Sequence, residues 1–375
     1  MKSFRIALAA TLFLIVAAPL AQASSYGDTK SVKALRALLQ ARPDLKDALG
    51  KAITASRMDG ITNVEQFEQY INGIARLIPT NRNIEDKLGP LYIITDISDT
   101  LRKSPEFENW SREVIAEWGH FLDSPASIGG LQTFYTDPAM KLEDYFVGPS
   151  GWLTFNQFFA RQIKPGKRPI AGLGDRKTVV SPADSVYKGA FPITDDATLE
   201  VKGISHKISD LLQDSENGHR FKGGLFTHYF LSITDYHRFH VPFAGTIVEK
   251  KFVPGFAYIG VFIRPDGSTY LTDGQSYQFK QQRGVIVMKT EEIGYVAILP
   301  IGMGPVSSVE LTPDVGATLH KGEELGFFQF GGSRRDRPVP EGRGRTHRGS
   351  RQALSARPGD RQGQAESEVN GQAVA

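Results

Sequence analysis

The sequence predicts an α+β protein, an N-terminal helical region followed by a β-rich domain of short strands. Residues 31–122 carry apolar side chains at helical spacing. Beyond about residue 150 the pattern becomes short β-branched and aromatic runs divided by glycines. Thr62-Asn63-Val64-Glu65 reads as a capping box opening a helix with Val64, Phe67, Ile71, Ile74 and Ile78 on its apolar stripe. Ser104-Pro105 starts another, with Trp110, Val114, Trp118 and Phe121 on one face. A second capping box, Thr154-Phe155-Asn156-Gln157, opens a short helix bearing Phe155, Phe158 and Phe159 and ending at Pro165-Gly166. Strands are expected at 178–180, 229–233, 245–252, 258–263, 284–288 and 294–299.

The two ends are of different material. Lys2 and Arg5, an apolar run over 6–20 and Ala21-Gln22-Ala23 form the pattern of a cleavable signal peptide over 1–23, so the chain is expected to be exported, periplasmic or secreted. The helical region then occupies 24–150 and the β-rich domain 151–333. Residues 334–375 lack Phe, Tyr, Trp and Ile and are expected to be disordered, because they bury too little apolar surface to offset ordering entropy. That tail holds nine Arg and no Lys against five acids, more than the whole chain's net charge of +3. The chain body is therefore slightly acidic and offers no basic footprint for nucleic acid. The absence of cysteine excludes disulfides, thiolate catalysis and Cys-ligated metal.

Three patches carry candidate chemistry: Ser181-Pro182-Ala183-Asp184-Ser185, Asp235-Tyr236-His237-Arg238-Phe239-His240, and Lys321-Gly322-Glu323-Glu324-Leu325-Gly326 leading to Gly331-Gly332-Ser333. His237 and His240 would share a face only on a helix. The β-branched and aromatic residues around them, and Pro242, argue for extended chain, where they point to opposite faces. With no further ligand at the usual spacing, no metal site is expected. Together the patches supply an acid, a base and a hydroxyl. A serine hydrolase would use the same trio, but no nucleophile elbow surrounds Ser333. Instead two glycines precede it, leaving the Gly332 carbonyl open to attack by the neighbouring hydroxyl.

These motifs resemble the phosphatidylserine decarboxylase family. The stretches that carry the resemblance are 154–170, 180–185, Lys202-Gly203 with Asp210-Leu211-Leu212, 228–245, 284–311 and 321–333, in that order. The helical lead-in and the run over 299–309 look most like a branch that includes decarboxylases of free aromatic amino acids. The resemblance implies a self-processing zymogen. His240, oriented and charge-balanced by Asp184, acts as base on Ser333, which attacks the Gly332 carbonyl. β-Elimination of the resulting ester frees the N-terminal chain and leaves dehydroalanine. Hydrolysis turns this into a pyruvoyl cofactor derived from Ser333, with loss of ammonia, and the cleaved small subunit stays as a partner. The substrate amine then forms a Schiff base with the pyruvoyl ketone, which takes up the electron pair released with CO2. His237 is implied in decarboxylation and reprotonation. The implied substrate is phosphatidylserine, with peripheral membrane contact, or a free aromatic amino acid such as tryptophan.

Two departures stand out. Ser185 occupies a position where the family has mostly Gly. The family continues past its processing serine with an apolar strand, whereas this chain gives Arg334-Arg335-Asp336-Arg337. A frameshift would account for this: if the codons for 334–342 were CGA-CGT-GAT-CGT-CCC-GTT-CCA-GAA-GGG, losing the first base would yield Asp-Val-Ile-Val-Pro-Phe-Gln-Lys. If the tail is genuine, the family's last strand is missing and processing would fail. A different class of function also fits the residues. The Lys-Gly-Glu-Glu-Leu-Gly turn resembles those of lipoyl- and biotin-carrier barrels, so an unprocessed, catalytically inactive binding module is the alternative.

Overall fold

The computed structural model describes residues 27–201, 204–255, 260–263, 269–272, 280–332 and 372–374. The expected signal peptide, Ser333 and residues 334–371 lie outside these described residues. Helices come first: α1 (Lys30–Ala41), α2 (Pro43–Ser56), α3 (Val64–Ile74), α4 (Ile84–Ile97), α5 (Asp99–Arg102), α6 (Pro105–Leu122), α7 (Gln132–Tyr135) and α8 (Phe155–Phe159). One more, α9 (Ile208–Leu212), lies among the strands. Strands β1 (Val186–Pro192), β2 (Thr198–Val201), β3 (Ile204–Lys207), β4 (Leu225–Phe230), β5 (Arg238–His240), β6 (Gly245–Val253) and β7 (Gly260–Ile263) are followed by β8 (Thr269–Thr272), β9 (Arg283–Lys289), β10 (Tyr295–Ile298), β11 (Ser308–Leu311), β12 (Thr318–Leu319), β13 (Glu324–Gln329) and β14 (Gln372–Val374). The fold is α+β, helices first and strands after, as the sequence pattern predicts.

Local chemistry sets the helix boundaries. Ser104 caps α6 by accepting from the Phe107 amide, with Pro105 at the first helical position. The cap of α3 is one residue later than the capping box suggests. Asn63 accepts from the Gln66 amide, while Gln66 reaches back to the Thr62 amide and hydroxyl. The helix ends at Ile74, so Ile78 falls outside its stripe and is 38% exposed. The helix opened by Thr154 stops at Phe159, well short of Pro165-Gly166, because Ile163 pairs instead in a β-bridge with Tyr145.

The sheets differ from expectation mainly in register. Residues 178–180 form no strand; Val180 makes a single backbone bond to the Pro242 carbonyl, 3.1 Å. The run expected at 229–233 forms β4 over Leu225–Phe230, because the chain turns at 233–235. A five-stranded sheet has the order β12-β6-β9-β10-β14, and a three-stranded sheet the order β11-β13-β5. Strand β9 is buried on both faces. Ile286 and Met288 join the core shared with α1–α6, while Val285 and Val287 join a second core with Leu211, Phe221 and Phe226. That is the two-residue period of a strand sandwiched between two layers. The first core runs without a break from Val32 through Trp118 and Phe155 to Phe330, so helical and β-rich regions share one interior.

Trp118 sits at this junction. It is fully buried, donates Nε1–H to the Leu77 carbonyl at 2.8 Å and meets Phe330 edge-on at 5.3 Å. Trp118→Ala is expected to lower unfolding stability by about 3–5 kcal/mol, the range for emptying a buried aromatic site. Urea denaturation measures it, and an unchanged midpoint would contradict the packing described.

Candidate functional site

Strand β13 carries the chain towards Gly331-Gly332. It pairs with β11, Ser308 opposite Gln329, and with β5, Glu324 opposite His240 and Phe327 opposite Arg238. Past Gln329 it leaves the ladder and meets α6 and α8. Gly331 has φ of +94°, and a Cβ on it would lie 2.5 Å from the Gly119 Cα, so only glycine fits at either position. Its amide donates to the Pro305 carbonyl, 2.9 Å. Asn156, between Phe155 and Phe158 on the same short helix, binds the Phe330 amide and carbonyl with its side chain.

The histidines occupy opposite faces of one extended segment. Tyr236, Arg238 and His240 alternate with His237 and Phe239. His240 Nδ1 is 2.9 Å from the Gly322 carbonyl, which only accepts, so Nδ1 carries the proton and Nε2 accepts from the Tyr236 hydroxyl at 3.1 Å. Burial lowers the His240 pKa from its ordinary value, partly offset by the Gly322 carbonyl and by the negative charges of Glu324 and Asp184. Burial also raises the Tyr236 phenol well above its usual range, keeping it a neutral donor. Gly322 has φ of +86°, which aims its carbonyl at the ring.

Asp184 is held by Arg168, whose Nε lies 2.6 Å from Oδ2, and Arg168 also binds Asp144 at 3.0 Å. The segments carrying Asp184 and His240 run side by side, with the His240 amide donating to Pro182 at 2.7 Å. Both His240 ring nitrogens are already engaged, so Asp184 acts on it through space. Ser185 bonds locally, to the Ala183 carbonyl at 3.1 Å.

His237 is 3% exposed and stacks on Phe159 with centroids 3.8 Å apart; Phe159 in turn meets Phe330 at 4.5 Å. Its Nε2 faces the Ile233 carbonyl at 3.2 Å, while Nδ1 is buried without a hydrogen-bond partner among the described residues. Burial, reinforced by the nearby Arg161 guanidinium, pushes its pKa down to about 3. Arg161 is 2% exposed, lies 4.4 Å over the Tyr145 ring and ties down the Thr234 and Asp235 carbonyls at 2.9 and 3.0 Å.

Asp184, Tyr236 and His240 are thus gathered at the Glu324 end of β13, and Gly332 at the other. Gly332 lies eight positions beyond Glu324, up to about 26 Å of extended chain. His237 lies between, one ring from Phe330. Ser333 itself lies outside the described residues. Sequence reasoning gave no role to Asn156, Arg161 or Tyr236. A polar residue flanked by phenylalanines in Phe155-Asn156-Gln157-Phe158-Phe159 was the available signal for the first. Among the described residues no group of three or more His, Asp or Glu side chains could hold a metal ion.

A histidine neutral in the fold and basic when unfolded makes stability rise with pH. From the ordinary 6.5 to about 3, His237 is expected to cost on the order of a few kcal/mol as the pH falls through that window. His237→Phe should flatten the loss of urea stability between pH 6.5 and 4.5; an identical slope in variant and parent would refute the burial argument.

The comparisons bear on what such a site belongs to. The phosphatidylserine decarboxylase family model matches residues 155–361, which span both histidines and Gly331-Gly332-Ser333. The chain is 30% identical over 271 residues to phosphatidylserine decarboxylase proenzyme 2 of Oryza sativa subsp. japonica, covering 71% of this chain and 40% of that protein. It is 30% identical over 224 residues to the phosphatidylserine decarboxylase proenzyme of Fusobacterium nucleatum subsp. nucleatum, covering 59% and 72%. With decarboxylase iboD of Amanita muscaria the identity is 28% over 270 residues, covering 63% and 77%. The chain thus spans under half the length of the rice relative. The match extends over more than half of this chain and through the Gly331-Gly332-Ser333 that follows β13 in the sequence, and on that ground the chain belongs to the phosphatidylserine decarboxylase family.

Proposed function

We propose that the chain is a self-processing decarboxylase that breaks its own Gly332–Ser333 bond and releases CO2 from the amino-acid headgroup of phosphatidylserine. The observation that carries this is the family match running through 331–333, where the chain has left its ladder and two glycines precede a hydroxyl. A pyruvoyl group derived from Ser333 would be the cofactor and would supply the electron sink for the pair left by CO2. The surroundings of Gly332 fit it. Gly331, one residue before it, is wedged against Gly119 with no space for a side chain, a Cβ on Gly332 would meet Ala116 at 3.3 Å, and His237 offers a buried nitrogen without a hydrogen-bond partner among the described residues, one ring from Phe330.

The chain's own residues would divide the work. Neutral His237 accepts and returns a proton through Nδ1, and Phe159 and Phe330 exclude water around it. Arg161 opposes protonation of that ring until a proton is delivered by the reaction. The family resemblance assigns the base on Ser333 to His240 with Asp184, and supporting it, His240 has an acceptor Nε2 under a Tyr236 hydroxyl. A second assignment, His237 as that base, is favoured by the separation of His240 from Gly332 along β13. The substrate has a second reading as well. The Amanita muscaria relative is named a decarboxylase without a lipid in its name, so a free amino acid such as tryptophan is the alternative.

Electrophoresis of the purified chain should show a large fragment ending at Gly332 and a small one covering the 43 residues from Ser333 to Ala375. Ser333→Ala should leave one intact band. Splitting that persists in this variant, or a parent chain that never splits, would sink the reading; the latter would favour a binding module. Whichever of His240→Ala and His237→Ala stays uncut marks the base. Processed protein should release CO2 from phosphatidylserine vesicles and not from tryptophan; the reverse would transfer it to free amino acids.

A further inference from the structure

We infer that Asn156 is a positioning residue for the self-processing reaction: its carboxamide, steadied by Asp123, grips both sides of Phe330 and so sets where the Gly332–Ser333 bond emerges. This rests on the cleavage proposed above and adds the device that presents the bond.

Asn156 is 1% exposed on a helix whose other inward side chains are Phe155, Phe158 and Phe159. A buried amide among aromatics is costly unless every polar atom is used, and here each is. Oδ1 accepts from the Phe330 amide at 3.1 Å; Nδ2 donates to the Phe330 carbonyl at 3.2 Å and to Asp123 Oδ1 at 2.9 Å. The orientation follows from chemistry, since the Phe330 amide only donates while its carbonyl and the carboxylate only accept. The Asn156 backbone carbonyl also receives the Gln329 side-chain amide at 3.3 Å.

The side chain therefore acts as one rung of a strand where the real strand ends. β11 pairs as far as Gln329, Asn156 takes Phe330, and Pro305 takes the Gly331 amide. The Gly119 contact closes the remaining side. Gly332 is the first residue after three consecutively anchored ones. In the acyl shift the Ser333 Oγ–Gly332 carbon bond forms and the Gly332 carbon–Ser333 nitrogen bond breaks. The hydroxyl proton ends on the freed amine. An attack on the neighbouring carbonyl needs that peptide plane fixed, and its rate depends on small displacements of the anchored chain.

The test follows fragment appearance in pulse-labelled full-length chain, with thermal melting as the control for folding. Asn156→Asp keeps the acceptor but sets a carboxylate against the Phe330 carbonyl and Asp123. It should slow splitting by roughly ten-fold or more. Asp123→Ala, at a half-buried position, should slow it several-fold with little change in melting temperature. Mild neutral hydroxylamine, which cuts esters under conditions that spare amides including the chain's Asn–Gly bonds, should release no extra fragment from either, since the block precedes ester formation. A folded variant of either kind that splits at the parental rate overturns the inference, as does one that stalls as a hydroxylamine-sensitive ester. If Asn156→Asp does not fold, Asp123→Ala decides alone. A parent chain that never splits removes the cleavage itself, an outcome distinct from normal splitting in the variants.

Discussion

The grip of Asn156 on Phe330 ties together parts of the chain 174 residues apart. Through it, and through the Gly119–Gly331 contact, the C-terminal strand is docked on α6 and α8 rather than only on its own sheet. The junction is buried and aromatic: Trp118, Phe155, Phe159 and Phe330 pack ring against ring, with Phe155 and Phe330 5.5 Å apart. In such surroundings a hydrogen bond is electrostatically strong and an unpaired amide costly. Packing and polar satisfaction therefore require the same geometry. Displacing α8 would expose rings, orphan the amide and release the strand end together.

Chemistry is distributed around this junction by the period of an extended strand. Because side chains alternate, His237 turns into the aromatic interior while His240 turns towards Tyr236, Arg238 and the Gly322 carbonyl. Their electrical environments differ accordingly. His237 has an adjacent cation and no carboxylate among the groups shifting it. His240 keeps the fields of Glu324 and Asp184, which favour its protonated form. Two histidines three residues apart thus become a neutral buried ring and a more readily protonated one, without any metal-type convergence. Arg161 belongs to both arrangements, since it holds the turn that starts the segment and bears on His237 from beside it.

Much of this was legible in the sequence, for identifiable reasons. The helical region announced itself by long stripes and by Ser104-Pro105, whose cap and first-turn proline are local signals. The opposite facing of the histidines followed from composition around them. Register was harder. The run at 229–233 was read from its β-branched and aromatic content, yet the turn at 233–235, closed by Asp235 on the Ser232 amide, moved the strand back to Leu225–Phe230. Strands β1, β11 and β13 carry glycines or charges that conceal their alternation. Asn156 was read only as part of a capping box. Its real partners are 33 and 174 residues away, and no local pattern encodes a contact of that span.

If the chain cuts itself as proposed, that span bears on when it does so. The anchors of residues 329–331 described above come from distant parts of the chain: Ser308 in β11, Pro305, Asn156 and Gly119. None exists in an unfolded or partly made chain, and contacts of high sequence separation form late because loop closure opposes them. A reactive Gly-Gly-Ser in flexible chain samples too many conformations to hold a hydroxyl against its neighbouring carbonyl. In the proposed reaction, folding is therefore the switch. The helical region must dock before the strand end is held, and the bond becomes vulnerable only once the interior that will exclude water from the product has closed. The glycine pair would serve both stages of that reaction: Gly331 fits under Gly119 for the hold, and Gly332 would leave the attacked carbonyl open.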